Sequence, residues 1–275
     1  MSDEPSGGPA ATLAPQLLSD WLTALERRHL ADLTFSEVAR ALRALSSNYV
    51  ERRGRLAKRT AFDTAGKRAA YALYYSPIHV LTLKPMLEAL RVGEPPVREV
   101  LDLGCGAGAA GATFAASLRP RARVTGVDEH PWALEEASFT YRAFGVAGRT
   151  RRGDVLRAPR LPSADAIVLG WVINEIDAAA REALLPKLLA AAKAGTRVLI
   201  VEPIATRLSP WWPEWTRAFA TVGGRADEWR FRVELPDLLR RLDRAAGLRH
   251  DELTARSLYA APSSRVSRDG QRLLK

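Results

Sequence analysis

The chain has 275 residues, 47% hydrophobic and 26% charged, with 41 Lys and Arg against 31 Asp and Glu and a formal net charge of +10. That length fits one large domain, or one domain with a helical extension, and the composition excludes a collagen, a disulfide-rich miniprotein and wholesale disorder. No apolar run approaches the roughly 20 residues of a membrane span, the single cysteine (Cys105) allows neither an internal disulfide nor a cysteine-ligated cluster, and the acidic start reads as neither a secretory signal nor an Arg-rich transit peptide, so a cytoplasmic setting is expected.

Residues 1–11 read as a flexible tail and residues 12–95 as a helical extension. Leu13, Leu17, Leu18, Trp21, Leu22 and Leu25 recur at three- and four-residue spacing, which predicts one apolar helix face. Thr34-Phe-Ser-Glu37 has the form of a capping box, with Val38, Ala41, Leu42 and Leu45 as the buried stripe of the helix it opens. Glu51 to Arg59 carries little apolar content and a glycine, and reads as a loop or a frayed helix end. A helix resumes near Asp63 and carries Tyr71, Tyr74 and Tyr75, read as core or as the frame of a substrate channel. Ser76-Pro77 then has the pattern of an N-cap followed by proline at the first helical position, predicting a second helix to about Leu90 with a candidate kink at Pro85.

The character changes near Val97, and residues 96–261 read as one α/β domain. Strands are predicted at 98–103, 123–127, 151–155, 164–169, 196–202 and near 255–260, with helices at about 107–118, 131–144, 177–194 and 236–246. The strands are continuously apolar rather than alternating, which predicts a doubly wound, mostly parallel sheet covered by helices on both faces. The stretch 204–234 is rich in proline and tryptophan (Trp211, Trp212, Trp215, Trp229) and reads as a lid or a packed cluster; residues 262–275 read as a flexible tail.

The most informative stretch is Leu101-Asp-Leu-Gly-Cys-Gly-Ala-Gly-Ala-Ala-Gly111. Gly104, Gly106 and Gly108 let backbone approach a ligand where a Cβ would clash, and the turn leads from a strand into a helix N-terminus. Taken alone, Gly106-x-Gly108-x-x-Gly111 also matches a dinucleotide fingerprint. Asp102 argues against that reading, because a carboxylate there would repel a pyrophosphate but suits an ammonium. Asp128 ends the second strand and can accept from both hydroxyls of a ribose; Asp154 closes the third and can accept from an adenine amino group. Glycine turn and three acids together describe an S-adenosylmethionine site. Each acid by itself reads equally as a strand-end or helix cap. Trp132 either stacks on adenine or packs in the core.

At these residues the chain resembles the class I S-adenosylmethionine-dependent methyltransferases. Leu45-Ser-Ser-Asn-Tyr-Val-Glu-Arg-Arg53, Ala70-Tyr-Ala-Leu-Tyr-Tyr-Ser-Pro77, Val100 to Gly108 and Val172-Ile-Asn-Glu-Ile176, in that order, are similar to the methyltransferase-like proteins of the small ribosomal subunit, known from mitochondria and with bacterial relatives. The resemblance spans roughly residues 40–260. It implies a seven-stranded Rossmann-like core, S-adenosyl-L-methionine as cofactor, and binding to the small ribosomal subunit or its RNA during assembly. Mitochondrial members carry a cysteine-ligated iron–sulfur cluster, which one cysteine cannot supply; no metal is expected.

Acceptor chemistry is less legible. The fourth strand runs into Gly170-Trp-Val-Ile-Asn-Glu-Ile176, which lacks the Asn/Asp-Pro-Pro-aromatic motif of many exocyclic-amine methylases. Cys105 is misplaced for a cytosine nucleophile, and six scattered lysines suit no ribose-methylating site. Glu175 is a candidate general base and Asn174 a candidate acceptor-orienting group, or both cap the helix beginning near Asp177. Trp171 either walls the methionine or acceptor pocket or packs. Three functions are therefore expected in order: a methyltransferase acting on small-subunit ribosomal RNA, a non-catalytic RNA-binding assembly factor of the same fold, and a small-molecule or protein methylase. A monomer is expected.

The charge is unevenly placed. Residues 40–68 hold nine basic and two acidic residues, and residues 262–275 hold four and one, so these two segments (+7 and +3) account for the whole excess. Arg52, Arg53, Arg55, Lys58, Arg59, Lys67 and Arg68 are thus the candidate nucleic-acid-binding residues, a basic arm in a chain whose remainder is neutral in sum. A solvated helical face is the alternative.

Overall fold

The computed structural model describes residues 14–51, 62–94, 96–157, 164–205, 209–248 and 250–262. Helices α1 (Pro15–His29) and α2 (Phe35–Glu51) open it. The capping box forms as predicted: the Glu37 N–H donates to Thr34 Oγ1 at 3.3 Å, and the Thr34 N–H donates to Glu37 Oε2 at 2.8 Å. Val38, Leu42 and Leu45 are buried, with Ala41 half-buried. Thr34→Ala removes one side of this exchange, and Tm should fall by roughly 2–4 °C in a thermal melt; an unchanged Tm would show that the box contributes nothing.

One helix, rather than two, spans Ala65–Ala89. It consists of α3 (Ala65–Ala70), a π turn (Tyr71–Tyr75) and α4 (Ser76–Ala89). The predicted N-cap at Ser76 is not one: Ser76 is helical (φ −59°, ψ −46°), and its N–H donates to the Tyr71 carbonyl five residues back. The reason is Pro77. Its ring lacks an N–H and would clash with the carbonyl four residues earlier in a regular α-helix. The wider turn moves that carbonyl aside, so the proline is absorbed without breaking the helix. Pro85 is also accommodated inside α4.

Seven strands follow: β1 (Glu99–Leu103), β2 (Arg123–Asp128), β3 (Gly148–Arg152), β4 (Ala166–Gly170), β5 (Arg197–Glu202), β6 (Arg225–Phe231) and β7 (Leu253–Ala260). Their order is β3-β2-β1-β4-β5-β7-β6, with β7 antiparallel to both neighbours and β1 to β5 parallel. Helices α5 (Ala109–Ala116), α6 (Pro131–Ala143), α7 (Ala178–Lys193), α8 (Trp212–Ala220) and α9 (Asp237–Ala246) cover the sheet.

Both sheet faces are buried, and this explains the continuous apolar strands. Val168, Leu199 and Val201 pack into the core shared with α1–α6 and α9, while the alternating Ile167, Leu169, Val198 and Ile200 pack against α7 and α8. The outer strands break the pattern. β3 spans 148–152, earlier than the predicted 151–155, and β6 lies in the stretch read as lid or cluster. Each is an exposed sheet edge with too little apolar content to fix its bounds, and β6 gave no strand pattern at all.

The N-terminal helices join the same core. Trp21 of α1 meets Phe144 edge-on at 5.1 Å between centroids. Glu136 of α6 is fully buried and accepts from Arg28 Nε at 3.0 Å and His29 Nε2 at 2.9 Å, clamping α1 to α6. Among the described residues, no helix is long and apolar enough to cross a membrane.

Candidate cofactor site

The site is built on the carboxyl ends of β1, β2 and β4. Between β1 and α5 the chain turns through Gly104, Gly106 and Gly108, all in the left-handed region (φ +68°, +50° and +81°). Space as well as conformation requires these glycines. A Cβ at Gly104 would lie 2.7 Å from Val172 Cγ2, and one at Gly108 would lie 2.8 Å from Ala137 Cα. The Gly104 and Cys105 N–H groups donate to the Val127 carbonyl at 2.8 and 3.0 Å, tying the turn to the end of β2.

Asp128, at the end of β2, is buried and braces the turn. Its Oδ2 accepts from the Gly106 N–H at 3.0 Å and its Oδ1 from the His130 N–H at 2.9 Å. Each oxygen keeps a second lone pair, and the side chain lines a cleft. Gly104, Asp128, Asp154, Val155, Leu156, Glu175 and Ile176 are among the residues lining that cleft. Asp154 lies just beyond β3 rather than within it. Its Oδ1 accepts from the Leu156 N–H at 2.8 Å, which starts the 3-10 turn Val155–Arg157. The structure thus brings Gly104, Asp128, Asp154 and Glu175 together.

Asp102 lies deeper than Asp128 and Asp154. It is fully buried beneath the turn and does not line the cleft. Its Oδ2 accepts from the Gly111 N–H at 2.9 Å, and its Oδ1 has no partner. Burial pushes its carboxyl up to about 7, with nearby Asp128 adding to the rise. Cys105 is buried as well, and burial pushes its thiol well above the usual range, which fits no nucleophilic role.

Trp132 adopts the packing alternative. Its ring sits 4.8 Å from Phe62 and also meets Tyr71, His130 and His29, rather than lining the cleft. Trp171 stacks face to face on His79, 3.6 Å between centroids and 6° between planes, with its own φ at +58°. Burial drives the His79 imidazole down to about 3, so it stacks as a neutral ring. Tyr71 completes this aromatic wall. It lies 6.3 Å from His79, and a Cβ on Gly106 would come within 2.9 Å of its hydroxyl oxygen. Sequence reading left Tyr71 as core or channel frame, and missed Val155, Leu156 and Ile176; apolar residues beyond a strand end look the same in a core and in a ligand cleft.

Neither Asn174 nor Glu175 caps α7; Asp177 does, accepting from the Ala180 N–H at 2.7 Å. Asn174 instead pins the segment after β5, its Oδ1 accepting from Ser209 Oγ at 2.6 Å and Trp211 Nε1 at 2.9 Å. Glu202, at the end of β5, supports this turn from below. It is fully buried, its Oε1 accepts from the Ile173 N–H at 2.7 Å, and burial pushes it up to about 8.

Of the basic arm, Arg52, Arg53, Arg55, Lys58 and Arg59 lie outside the described residues, as do residues 263–275. Lys67 pairs with Asp63 at 3.0 Å, and Arg68 Nε donates to the Phe62 carbonyl at 2.8 Å. Among the described residues, no group of His, Cys, Asp and Glu is arranged to hold a metal ion.

A sequence profile described as a methyltransferase domain matches residues 100–195, the stretch that carries the glycine turn, all three acids and the β4 turn. Residues 100–195 thus match a methyltransferase domain, and the seven-stranded sheet around them has the class I methyltransferase fold. Over 156 residues the chain is 33% identical to ribosomal RNA small subunit methyltransferase C of Chromohalobacter salexigens, covering 54% of this chain and 44% of that protein. The chain therefore matches less than half the length of that curated relative. An O-methyltransferase family protein from Burkholderia thailandensis shares the fold, with a TM-score of 0.51 and 17% identity over 88% of this chain and 77% of the other. The N-methyltransferase NodS from Bradyrhizobium japonicum WM9, in complex with S-adenosyl-l-homocysteine, has a TM-score of 0.44 and 14% identity over 89% of this chain and 99% of the other.

Proposed function

We propose that this methyltransferase modifies small-subunit ribosomal RNA, working as a cytoplasmic monomer during subunit assembly. The observation that carries the methyl-transfer part is the cleft uniting Gly104, Asp128, Asp154 and Glu175. The RNA part is supported by the 33% identity to a ribosomal RNA methyltransferase and by the basic arm at 40–68.

The residues fit the cofactor. Asp128 has lone pairs left for both ribose hydroxyls, and Asp154 can accept from the adenine amino group. Val155, Leu156 and Ile176 offer apolar surface to the ring, and the unpartnered Oδ1 of Asp102 suits the methionyl ammonium from beneath the turn. When bound, S-adenosylmethionine supplies an electrophilic methyl group on a sulfonium. Tyr71, His79 and Trp171 wall the side of the turn facing the N-terminal helices and shield it from water. Glu175 is the carboxylate placed to take a proton from the acceptor, while Asn174 orders the segment around Trp211. The unit boundaries at 12–95 and 96–261 belong to the same proposal: helices that carry the basic arm, then the methyltransferase core.

Incubating the purified chain with tritiated S-adenosylmethionine and small subunits should place label in the RNA. Absence of label from both mature and precursor subunits would overturn the proposal. A second reading, a non-catalytic assembly factor, is favoured by one observation: the Asn174 carboxamide oxygen is already committed to Ser209 and Trp211. It predicts subunit binding that persists in Asp102→Ala, with no transfer by either protein.

A further inference from the structure

The core, residues 96–261, carries 24 basic against 20 acidic residues, and this excess is not evenly placed. From Gly148 to Arg157 it carries four arginines (149, 151, 152 and 157) against one acid, Asp154. All four arginines are exposed, and β3 is the free edge of the sheet. Among the described residues, Arg151, Arg152 and Arg157 have no carboxylate partner, and Arg149 is held only through Nε, which donates to Thr125 Oγ1 at 3.0 Å.

The opposite edge supplies the contrast. There Arg225 pairs with Asp227 and Arg230 with Glu252 at 3.1 Å, so β6 balances its own charge. Any charge keeps an edge strand from pairing with another chain. β6 does this with both signs; β3 uses one sign and leaves it unpaired. Arg149 and Arg151 point to the same side of the strand, about 6.6 Å apart along it. Arg152 stands opposite Asp128 in register, which brings the basic edge to the rim of the cofactor cleft. Burial lowers the His130 imidazole, and the positive charges of Arg68 and Arg152 lower it further.

We infer that the β3 edge is a phosphate track, a surface on which Arg149, Arg151 and Arg157 hold the backbone of an RNA substrate beside the cleft. The inference rests on the RNA reading above and adds a surface that lies outside the basic arm. Arg151, Arg152 and Arg157 share an open depression of about 430 Å³ with Glu129 and Asp154, while Arg149 stands outside it, farther along the edge. Guanidiniums that extend beyond one depression suit successive phosphates of one polyanion rather than a single small anion.

The test is the variant R149Q/R151Q/R157Q, which spares Arg152 beside Asp128. Its binding to a fluorescein-labelled small-subunit ribosomal RNA fragment is followed by anisotropy across a KCl series. One phosphate contact multiplies affinity about fivefold at ~0.15 M salt. Three lost contacts should therefore weaken binding on the order of a hundredfold and reduce the salt slope by about 3. Tm and affinity for S-adenosylhomocysteine should match the parent. Equal RNA affinity and slope in the variant would overturn the track while leaving the RNA reading intact, and self-association of that variant would then assign the arginines to edge protection alone. A parent chain that binds no RNA would overturn both.

Discussion

Asp128→Ala should lower the affinity for S-adenosylmethionine by at least about a hundredfold. The change removes the acceptors available to two ribose hydroxyls, and hydrogen bonds to a charged group contribute about 1.5–3 kcal/mol each. Two such bonds correspond to a hundredfold or more in dissociation constant. A second loss compounds the first. The Gly106 and His130 N–H groups now donate to this carboxylate, and without it the turn loses its brace to the end of β2. Asp128→Asn, which keeps one acceptor, should lose about tenfold. Isothermal titration with S-adenosylhomocysteine reads both values. An alanine variant within threefold of the parent would remove Asp128 from the cofactor site.

Asp102→Asn should stabilise the protein at alkaline pH and weaken its hold on the cofactor there. Burial pushes the Asp102 carboxyl up to about 7 from an ordinary value of 3.8. Between those values the folded chain keeps a proton that the unfolded chain has released. Stability therefore falls as pH rises through that window, and the full penalty stands above about 7. An asparagine of the same shape keeps an acceptor for the Gly111 N–H and carries no charge to desolvate. The variant should gain on the order of 2 kcal/mol at pH 8, taking about half of the ideal conversion, and nothing at pH 4. Glu202 titrates in both proteins and cancels in the difference. The cofactor behaves in the opposite sense: its ammonium favours the ionised carboxylate, so the parent's affinity should rise as pH climbs through about 7 while the variant's stays flat. Urea melts and titrations at several pH values check both halves. Parallel stability curves for parent and variant would show that Asp102 does not carry the buried charge.

The parts of this molecule that were legible in its sequence are those under the strongest local constraint. Gly104, Gly106 and Gly108 announce a turn that side chains cannot occupy, and Asp128 falls at the end of β2 beside that turn, as its position predicts. Central strands buried on both faces, such as Ile167 to Leu169, cannot be mistaken for anything exposed. Legibility fails where one residue type serves two purposes. Arg149, Arg151 and Arg152 blurred the bounds of β3, because an edge strand needs no apolar stripe. Asn174 reads as a cap or a catalytic amide by type alone, and its true partners, Ser209 and Trp211, lie 35 and 37 residues away. Trp132 and Trp171 differ only in which neighbours the fold brings to them.

The π turn at Tyr71–Tyr75 has a consequence for angular phase. Each residue of an α-helix advances about 100° around the axis, so eight steps from Tyr71 to His79 would leave the two side chains about 80° apart. One extra residue accommodated in a wide turn takes back about 100°, leaving them within about 20° of a common direction. That is why two rings separated by eight positions share a single wall over the glycine turn, 6.3 Å apart. The bulge therefore works as a one-residue phase shifter. Ala69 and Ala70 on one side of it and Leu83 and Met86 on the other keep their own buried directions, while the aromatic pair is rotated into alignment between them.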